Sequence, residues 1–240
     1  MNILITGGAS GLGAAITRRL AQEAGCAVYF TYNQSEEAAK KLAREFSNVH
    51  AVKCDFRSAE EIQSLTEKIP SLDIDVLINN AYSGEAVKTH FHKINTTDFS
   101  IDFTNNILPT VQITQAAISH FRKKKKGRII TILTSFLLDV PPIGASVYVA
   151  NKAYLGSLVR SWAVENAKFN IVSNSVSPAF MLTNFTKDTD ERILEQMIES
   201  HPLKKILAPE EVADSVAYLM NASPQINGID LVINSAAHIK

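Results

Sequence analysis

Seven short apolar runs, separated by longer stretches of helical pattern, constrain this chain more than any other feature. The runs are NILIT (2–6), AVYFTY (27–32), VHAVKC (49–54), DVLINN (75–80), RIITILT (128–134), IVSNSVS (171–177) and IDLVIN (229–234). Several are apolar almost throughout, as strands covered on both faces are. Between them, periodicity predicts helices over 11–24, 35–46, 58–69, about 96–122, about 147–167 and 209–220, with Ser35 as an N-cap. Strand–helix alternation of this kind predicts an α/β domain: a doubly wound parallel sheet of about seven strands with helices on both faces. No repeat, linker or composition break divides residues 1–240, so one domain is expected.

Charge narrows the partners. Lys plus Arg and Asp plus Glu both number 24, giving a formal net charge of zero. That argues against a general binder of nucleic acid or of acidic membranes. Cys26 and Cys54 each sit beside a predicted strand and read as reduced, half-buried thiols rather than a disulfide or metal pair. The first strand begins by Ile3, leaving no room for a signal peptide, and no apolar run has spanning length. A cytoplasmic location is the expectation. The run RKKKKG (122–127) reads as a solvated helix end with Gly127 as its stop. Its alternative is a docking patch for an acidic partner.

The segment TGGASGLG (6–13) follows the first strand and opens the first helix. Glycines at Gly7, Gly11 and Gly13 permit backbone angles closed to other residues, and they let a pyrophosphate lie against bare N–H groups. The helix N-terminus adds unpaired donors and partial positive charge. Three glycines can also simply make a tight turn; their position in an alternating chain favours the nucleotide reading.

A second constellation adds chemistry. Tyr148 and Lys152 stand four apart on a predicted helix, hence on one face. Ser135 lies at the C-terminal end of the fifth strand, the edge where open α/β sheets bind ligands. A lysine cation beside a tyrosine favours its phenolate and lowers its pKa, so the phenol is expected to exchange a proton near neutral pH.

With these residues in place the chain resembles the short-chain dehydrogenase/reductase family along its full length, and within it the 3-oxoacyl-acyl-carrier-protein reductases. The resemblance rests on TGGASGLG (6–13), CDF (54–56), NNAY (79–82), Asn106 in NNILPTVQITQA, Ser135 with YVANK, SPAFMLT (177–183) and the tail HPLKKILAPEEVADSVAYL (201–219). It implies a Rossmann-like fold and a catalytic tetrad of Asn106, Ser135, Tyr148 and Lys152. Tyr148 would protonate the developing alkoxide while Lys152 lowers its pKa and binds the nicotinamide ribose. Ser135 would orient the carbonyl, and Asn106 would hold a water linking the lysine to solvent. Cofactor contacts are implied at Thr6, Gly7, Ser10, Gly11, Leu12 and Gly13, then at Thr31, Tyr32 and Asn33. Others are Asp55 and Phe56, Asn80 and Ala81, Pro178 and Thr183, besides Tyr148 and Lys152. Asp55 would contact the adenine and Thr183 the nicotinamide carboxamide.

Three departures fall around the nicotinamide and the subunit contact. Tyr82 replaces the glycine of N-N-A-G, Ala179 that of P-G, and VINSAA (232–237) stands where the family often has V-D-G-G. The second strand ends at Tyr32, where NAD enzymes place an acid for the ribose 2′-hydroxyl. With no acid there, and with Thr31, Asn33 and Ser35 as donors, NADPH is expected, with NADH as the alternative. The leading reading is reduction of a 3-oxoacyl thioester, tethered to an acyl carrier protein, in fatty-acid or polyketide synthesis. The alternatives are a dehydrogenase of a free alcohol, sugar or steroid-like substrate, and a non-catalytic NADP-binding regulator. Phe136, Leu137 and Leu138 favour an apolar substrate chain. The pair in THFHK (89–93) lacks a third ligand, so no metal is expected. The family implies a homodimer or homotetramer.

Overall fold

The computed structural model describes residues 1–82, 89–183 and 189–237. Seven parallel strands form one sheet: β1 (Asn2–Ile5), β2 (Ala27–Tyr32), β3 (Val49–Lys53), β4 (Val76–Asn79), β5 (Gly127–Ile132), β6 (Ile171–Pro178) and β7 (Asp230–Ile233). Their spatial order is β3-β2-β1-β4-β5-β6-β7. The chain runs outward from β1 to β3, then returns to the other side of β1 to start β4. The order therefore reverses between β1 and β4, and the crevice beyond their carboxyl ends is where such sheets take ligands.

The helices are α1 (Gly11–Ala21), α2 (Glu36–Glu45), α3 (Ala59–Leu72), α4 (Thr96–Asp102), α5 (Leu108–Lys124), α6 (Ser146–Asn166), α7 (Glu191–Ser200) and α8 (Pro209–Asn221). Successive strand residues face opposite sides of a sheet. Accordingly Ile3 and Ile5 pack with Leu20 of α1, Leu42 of α2 and Met220 of α8, whereas Leu4 packs with Ile69 of α3, Phe121 of α5 and Trp162 of α6. Burial of each large side chain stabilises the fold by roughly 1.5–3 kcal/mol.

Five details differ from the sequence expectations. The helix expected over 96–122 is interrupted by a π-helical segment, Phe103–Ile107, in which the Leu108 N–H donates to the Phe103 carbonyl. Pro109 explains it: proline has no N–H to return to the carbonyl four residues back, and its ring crowds that carbonyl, so the turn widens. The wider turn buries Asn106 and Ile107. Helix α7 was not expected; its signals are Asp190, whose carboxylate caps the Arg192 N–H, and apolar residues at Ile193, Leu194, Met197 and Ile198. Ser35 stands at the N-cap of α2 but makes no side-chain capping bond.

Gly127 does not stop α5. Lys125 takes the left-handed cap, at φ 53°, and Gly127 is already the first residue of β5. A Cβ at Gly127 would lie 2.2 Å from Cγ of Phe121, so this glycine admits a core ring instead. Nor is the basic run wholly solvated. The Lys124 ammonium pairs with Asp73 and Asp75, both at 2.9 Å, and ties α5 to the entry of β4.

Candidate active site

Backbone builds one end of the crevice. Gly7 and Gly11 take φ of 68° and 51°. A Cβ on Gly13 would fall 2.0 Å from the Gly7 carbonyl oxygen, so α1 starts hard against the turn. The Gly7 N–H donates to the Thr31 hydroxyl at 2.9 Å, which locks the turn to β2. Ser10 is the N-cap of α1 and makes no side-chain capping bond. The orphan N–H groups of the first helical turn are thus left for a ligand, and the partial positive charge there suits an anion. Turn and residues fit a dinucleotide pyrophosphate.

Thr6 is placed differently from the expectation of a cofactor contact. It is buried, and its hydroxyl accepts the Asn80 and Ala81 N–H groups, each at 3.0 Å. The Asn80 amide in turn donates to the Thr6 and Gly7 carbonyls at 2.9 and 3.1 Å. These bonds clasp β1 to β4 under the turn. Thr6 supports the crevice without lining it.

The crevice encloses about 920 Å³. It brings together Gly7, Ser10, Gly11, Leu12, Gly13, Thr31, Tyr32, Asn33, Phe56, Asn80, Ala81, Tyr148, Lys152, Pro178 and Thr183. Besides Thr6, three expected site residues do not line it. Asp55 is committed to Arg57, which reaches its two carboxylate oxygens at 2.7 and 3.0 Å and holds its pKa down at about 2. Arg57 itself lines the wall near Tyr32 and Asn33, a cation contributed by the loop after β3 rather than by the end of β2. Asn106 is buried in the π segment, its amide donating to the Asp102 carboxylate at 3.2 Å, while Asn105 lines the crevice.

Ser135 is the third. It is 2% exposed and begins a 3-10 turn, Ser135–Leu137, whereas its neighbour Thr134 lines the crevice and hydrogen-bonds the Tyr148 phenol.

Helix α6 presents Tyr148 and Lys152 on one face, as their spacing requires. Lys152 is buried, donates to the Ile132 carbonyl at 2.8 Å, and sits 5.7 Å from the Tyr148 ring centre. The lowered tyrosine pKa expected from this neighbour does not occur. Desolvation pushes Tyr148 up to about 12, against a smaller opposite effect of Thr134, and pushes Lys152 down to about 8. Burial penalises both charged forms more than their mutual attraction favours them. The phenol therefore keeps its proton at neutral pH and is ready to donate it.

Tyr82 packs edge-on against Tyr148, with ring centres 5.1 Å apart, and its hydroxyl donates to Asp102. Residues 184–188, which follow Thr183, lie outside the described residues. The far end of the crevice is apolar, with Phe136, Ile143, Phe180, Met181, Ile193 and Met197 among its walls.

A glycine-turn crevice at a topological switch point, with a protonated tyrosine and a buried lysine inside it, defines a nucleotide-dependent oxidoreductase site. The family model described as enoyl-(acyl carrier protein) reductase matches residues 7–238. The chain belongs to the short-chain dehydrogenase/reductase family. It is 34% identical to the 3-oxoacyl-(acyl-carrier-protein) reductase FabG of Aquifex aeolicus, over 90% of this chain and 88% of that one. It is 32% identical to carbonyl reductase family member 4 of Xenopus laevis, over 98% and 97%. A solved short chain dehydrogenase/reductase family protein superposes with a TM-score of 0.83 at 31% identity, covering 98% of this chain and 96% of that one. The protein is an NAD(P)-dependent oxidoreductase acting on CH–OH or C=O groups.

Proposed function

We propose that the protein is an NADPH-dependent ketoreductase that reduces 3-oxoacyl thioesters, with an acyl carrier protein as the donor of the tethered substrate. The observation that carries this reading is the protonated Tyr148 facing a crevice whose far end is apolar. A ketone needs a proton on oxygen as hydride reaches carbon, and the phenol supplies it. When bound, the reduced nicotinamide would supply the hydride. The glycine turn and the α1 N-terminus hold its pyrophosphate, and Thr183 its carboxamide end. Thr134 orients the substrate oxygen against Tyr148. The Lys152 cation favours the phenolate that forms as the proton leaves. Arg57, on the wall beside Tyr32 and Asn33, supports NADPH over NADH by offering a positive charge to a 2′-phosphate. Exposed apolar side chains on α5 and α6, Leu108, Tyr154 and Val164, suit a homodimer or homotetramer.

The test compares turnover of a 3-oxoacyl chain on acyl carrier protein, the same chain on a small uncharged thiol, and a free ketone, each with NADPH and NADH. The expected order is carrier-bound first, free ketone last, with NADPH preferred. Faster reduction of the free ketone would make a carbonyl reductase of small molecules the better reading. Reduction of a 2-enoyl thioester but no ketone would overturn the assignment of Tyr148 as proton donor to a carbonyl oxygen.

A further inference from the structure

The Asp102 carboxylate has no part in the machinery described so far, yet it sits at the centre of it. Its Oδ2 accepts from the Asn151 amide at 2.6 Å and from the Tyr82 hydroxyl, and its Oδ1 accepts from Asn106 at 3.2 Å. These donors come from three different places: the exit of β4, the π segment and α6. Tyr82 stands between this carboxylate and Lys152, whose ammonium is 5.2 Å from the Tyr82 ring centre. Among the described residues Lys152 makes one hydrogen bond, to the Ile132 carbonyl, and ion-pairs with none.

We propose that Asp102 is a positioning residue for the catalytic pair: a half-buried counter-charge for Lys152 that Tyr82 and Asn151 hold at a distance, so that the ammonium stays charged but uncaptured. A lysine buried without a counter-charge loses its proton, and one in direct contact with a carboxylate is neutralised as an electrostatic influence on its neighbours. Three hydrogen bonds on Asp102 keep it from swinging onto Lys152. The tyrosine that replaces the glycine of N-N-A-G is therefore coupled to Asp102 and Asn151. The three residues make one device, and Asn106 is drawn into it by its own bond to Asp102.

The ionisable groups acting on Lys152 among the described residues are Tyr148 on its own helix, Tyr82 beyond β4, and Asp102 on α4. Helix α4 also carries Asp98 one turn earlier, and neither β6 nor the 3-10 turn at Ser135–Leu137 brings a charged side chain. Asp102 is the carboxylate whose field raises the lysine pKa against desolvation.

The proposal rests on Lys152 and Tyr148 forming the catalytic pair, not on the identity of the substrate. Its test uses cofactor-free protein carrying carbon-13 at the lysine ε position, with the Lys152 signal assigned by its loss in Lys152→Met. Asp102→Asn is expected to lower the Lys152 titration midpoint by about one unit. Tyr82→Phe keeps the ring but frees the carboxylate, and is expected to raise the midpoint by a similar amount, with a smaller rise for Asn151→Ala. The high-pH limb of the reduction rate should move in the same directions. Opposite shifts support the device. No shift in either variant, or shifts of the same sign, overturns it, even where turnover falls. If Asp102→Asn does not fold, the sign of the Tyr82→Phe and Asn151→Ala shifts decides. A lysine signal that behaves as expected in a protein that reduces no ketoacyl thioester would reject the proposed substrate and leave this inference standing.

Discussion

The two ends of the crevice are built from different materials. At the adenosine end the site is backbone: Gly7, Gly11 and Gly13 shape a turn whose N–H groups face the ligand, and Thr6 and Asn80 clasp it from below. At the nicotinamide end the site is side chain: Tyr148, Lys152, Thr134, Tyr82 and Asp102 fill a desolvated pocket with polar groups. A backbone site tolerates almost no change, because a Cβ at Gly13 would collide with the Gly7 carbonyl. A side-chain site tolerates substitution where hydrogen-bond partners can change with it, and Tyr82, Asp102 and Asn151 are linked by hydrogen bonds in that way. The comparison also predicts where stability is given up for chemistry. The backbone end buries no charge, whereas the other end buries an ammonium.

The largest effect should come at the side-chain end. Tyr148→Phe removes the proton donor but leaves the glycine turn intact. Turnover of a ketoacyl thioester should fall by about a hundred- to ten-thousand-fold, while NADPH affinity, measured by nucleotide fluorescence, stays within a few-fold of the parent. A variant that reduces ketones at near-parent rates would show that the two ends do not divide binding from chemistry as described.

Next in size is the cost of the buried lysine. The folded pKa of Lys152 is about 8 against an ordinary value of 10.5. Between these values the unfolded chain binds a proton that the folded chain lacks, so this group makes stability rise with pH across that window. Below pH 8 the full cost is present, of the order of 3 kcal/mol. Lys152→Met should therefore unfold at higher denaturant than the parent at pH 7, and the gap should close as pH rises toward 10. A Lys152→Met protein less stable than the parent at pH 7 would mean that the lysine's hydrogen bond to Ile132 outweighs its desolvation.

How far each end could be read from sequence follows from the same contrast. All seven strands were legible, because strands covered on both faces leave apolar runs. The glycine turn was legible because it needs glycine and follows a strand. Tyr148 and Lys152 were legible because both ride on one helix, where spacing fixes the face. Thr134 was not, because it adjoins Ser135 just past the end of a strand, where spacing along the chain does not tell which hydroxyl bonds the phenol. Asp102 was not either: its role depends on a π segment forced by Pro109 and on partners from two other parts of the chain. The tyrosine pKa was misjudged for a related reason. Spacing gave the neighbour, but desolvation depends on everything else packed around the pair. Helix α7 carried a readable cap at Asp190, and its charged, short pattern went unnoticed.

The adjacent hydroxyls give a smaller effect that sharpens the side-chain end. Thr134→Val keeps the shape and removes the group that bonds Tyr148. It should lower kcat by about five- to thirty-fold, the loss of about 1–2 kcal/mol of transition-state hydrogen bonding. Ser135→Ala tests the neighbouring hydroxyl, and a loss larger than that of Thr134→Val would assign the substrate oxygen to Ser135. Steady-state kinetics on both variants checks this.

The smallest effect probes whether the adenosine end is backbone alone. Arg57 is half-exposed and already paired with Asp55, so its attraction for a 2′-phosphate is screened by water and shared with a carboxylate. Arg57→Ala should weaken NADPH binding by about two- to five-fold, in keeping with less than about 1 kcal/mol for an exposed pair, and leave NADH binding unchanged. The Asp55 carboxyl, held at about 2 from an ordinary 3.8, stays anionic and paired through the whole neutral range. Its contribution to stability is present above about pH 4 and is lost only as pH falls through about 2, so Arg57 should be found in the same pairing at any assay pH. Asp55→Asn frees the guanidinium and should tighten NADPH by a similar small factor. Equal losses for both nucleotides in Arg57→Ala would instead assign Arg57 to the loop after β3 and leave Thr31, Tyr32 and Asn33 to select the cofactor unaided.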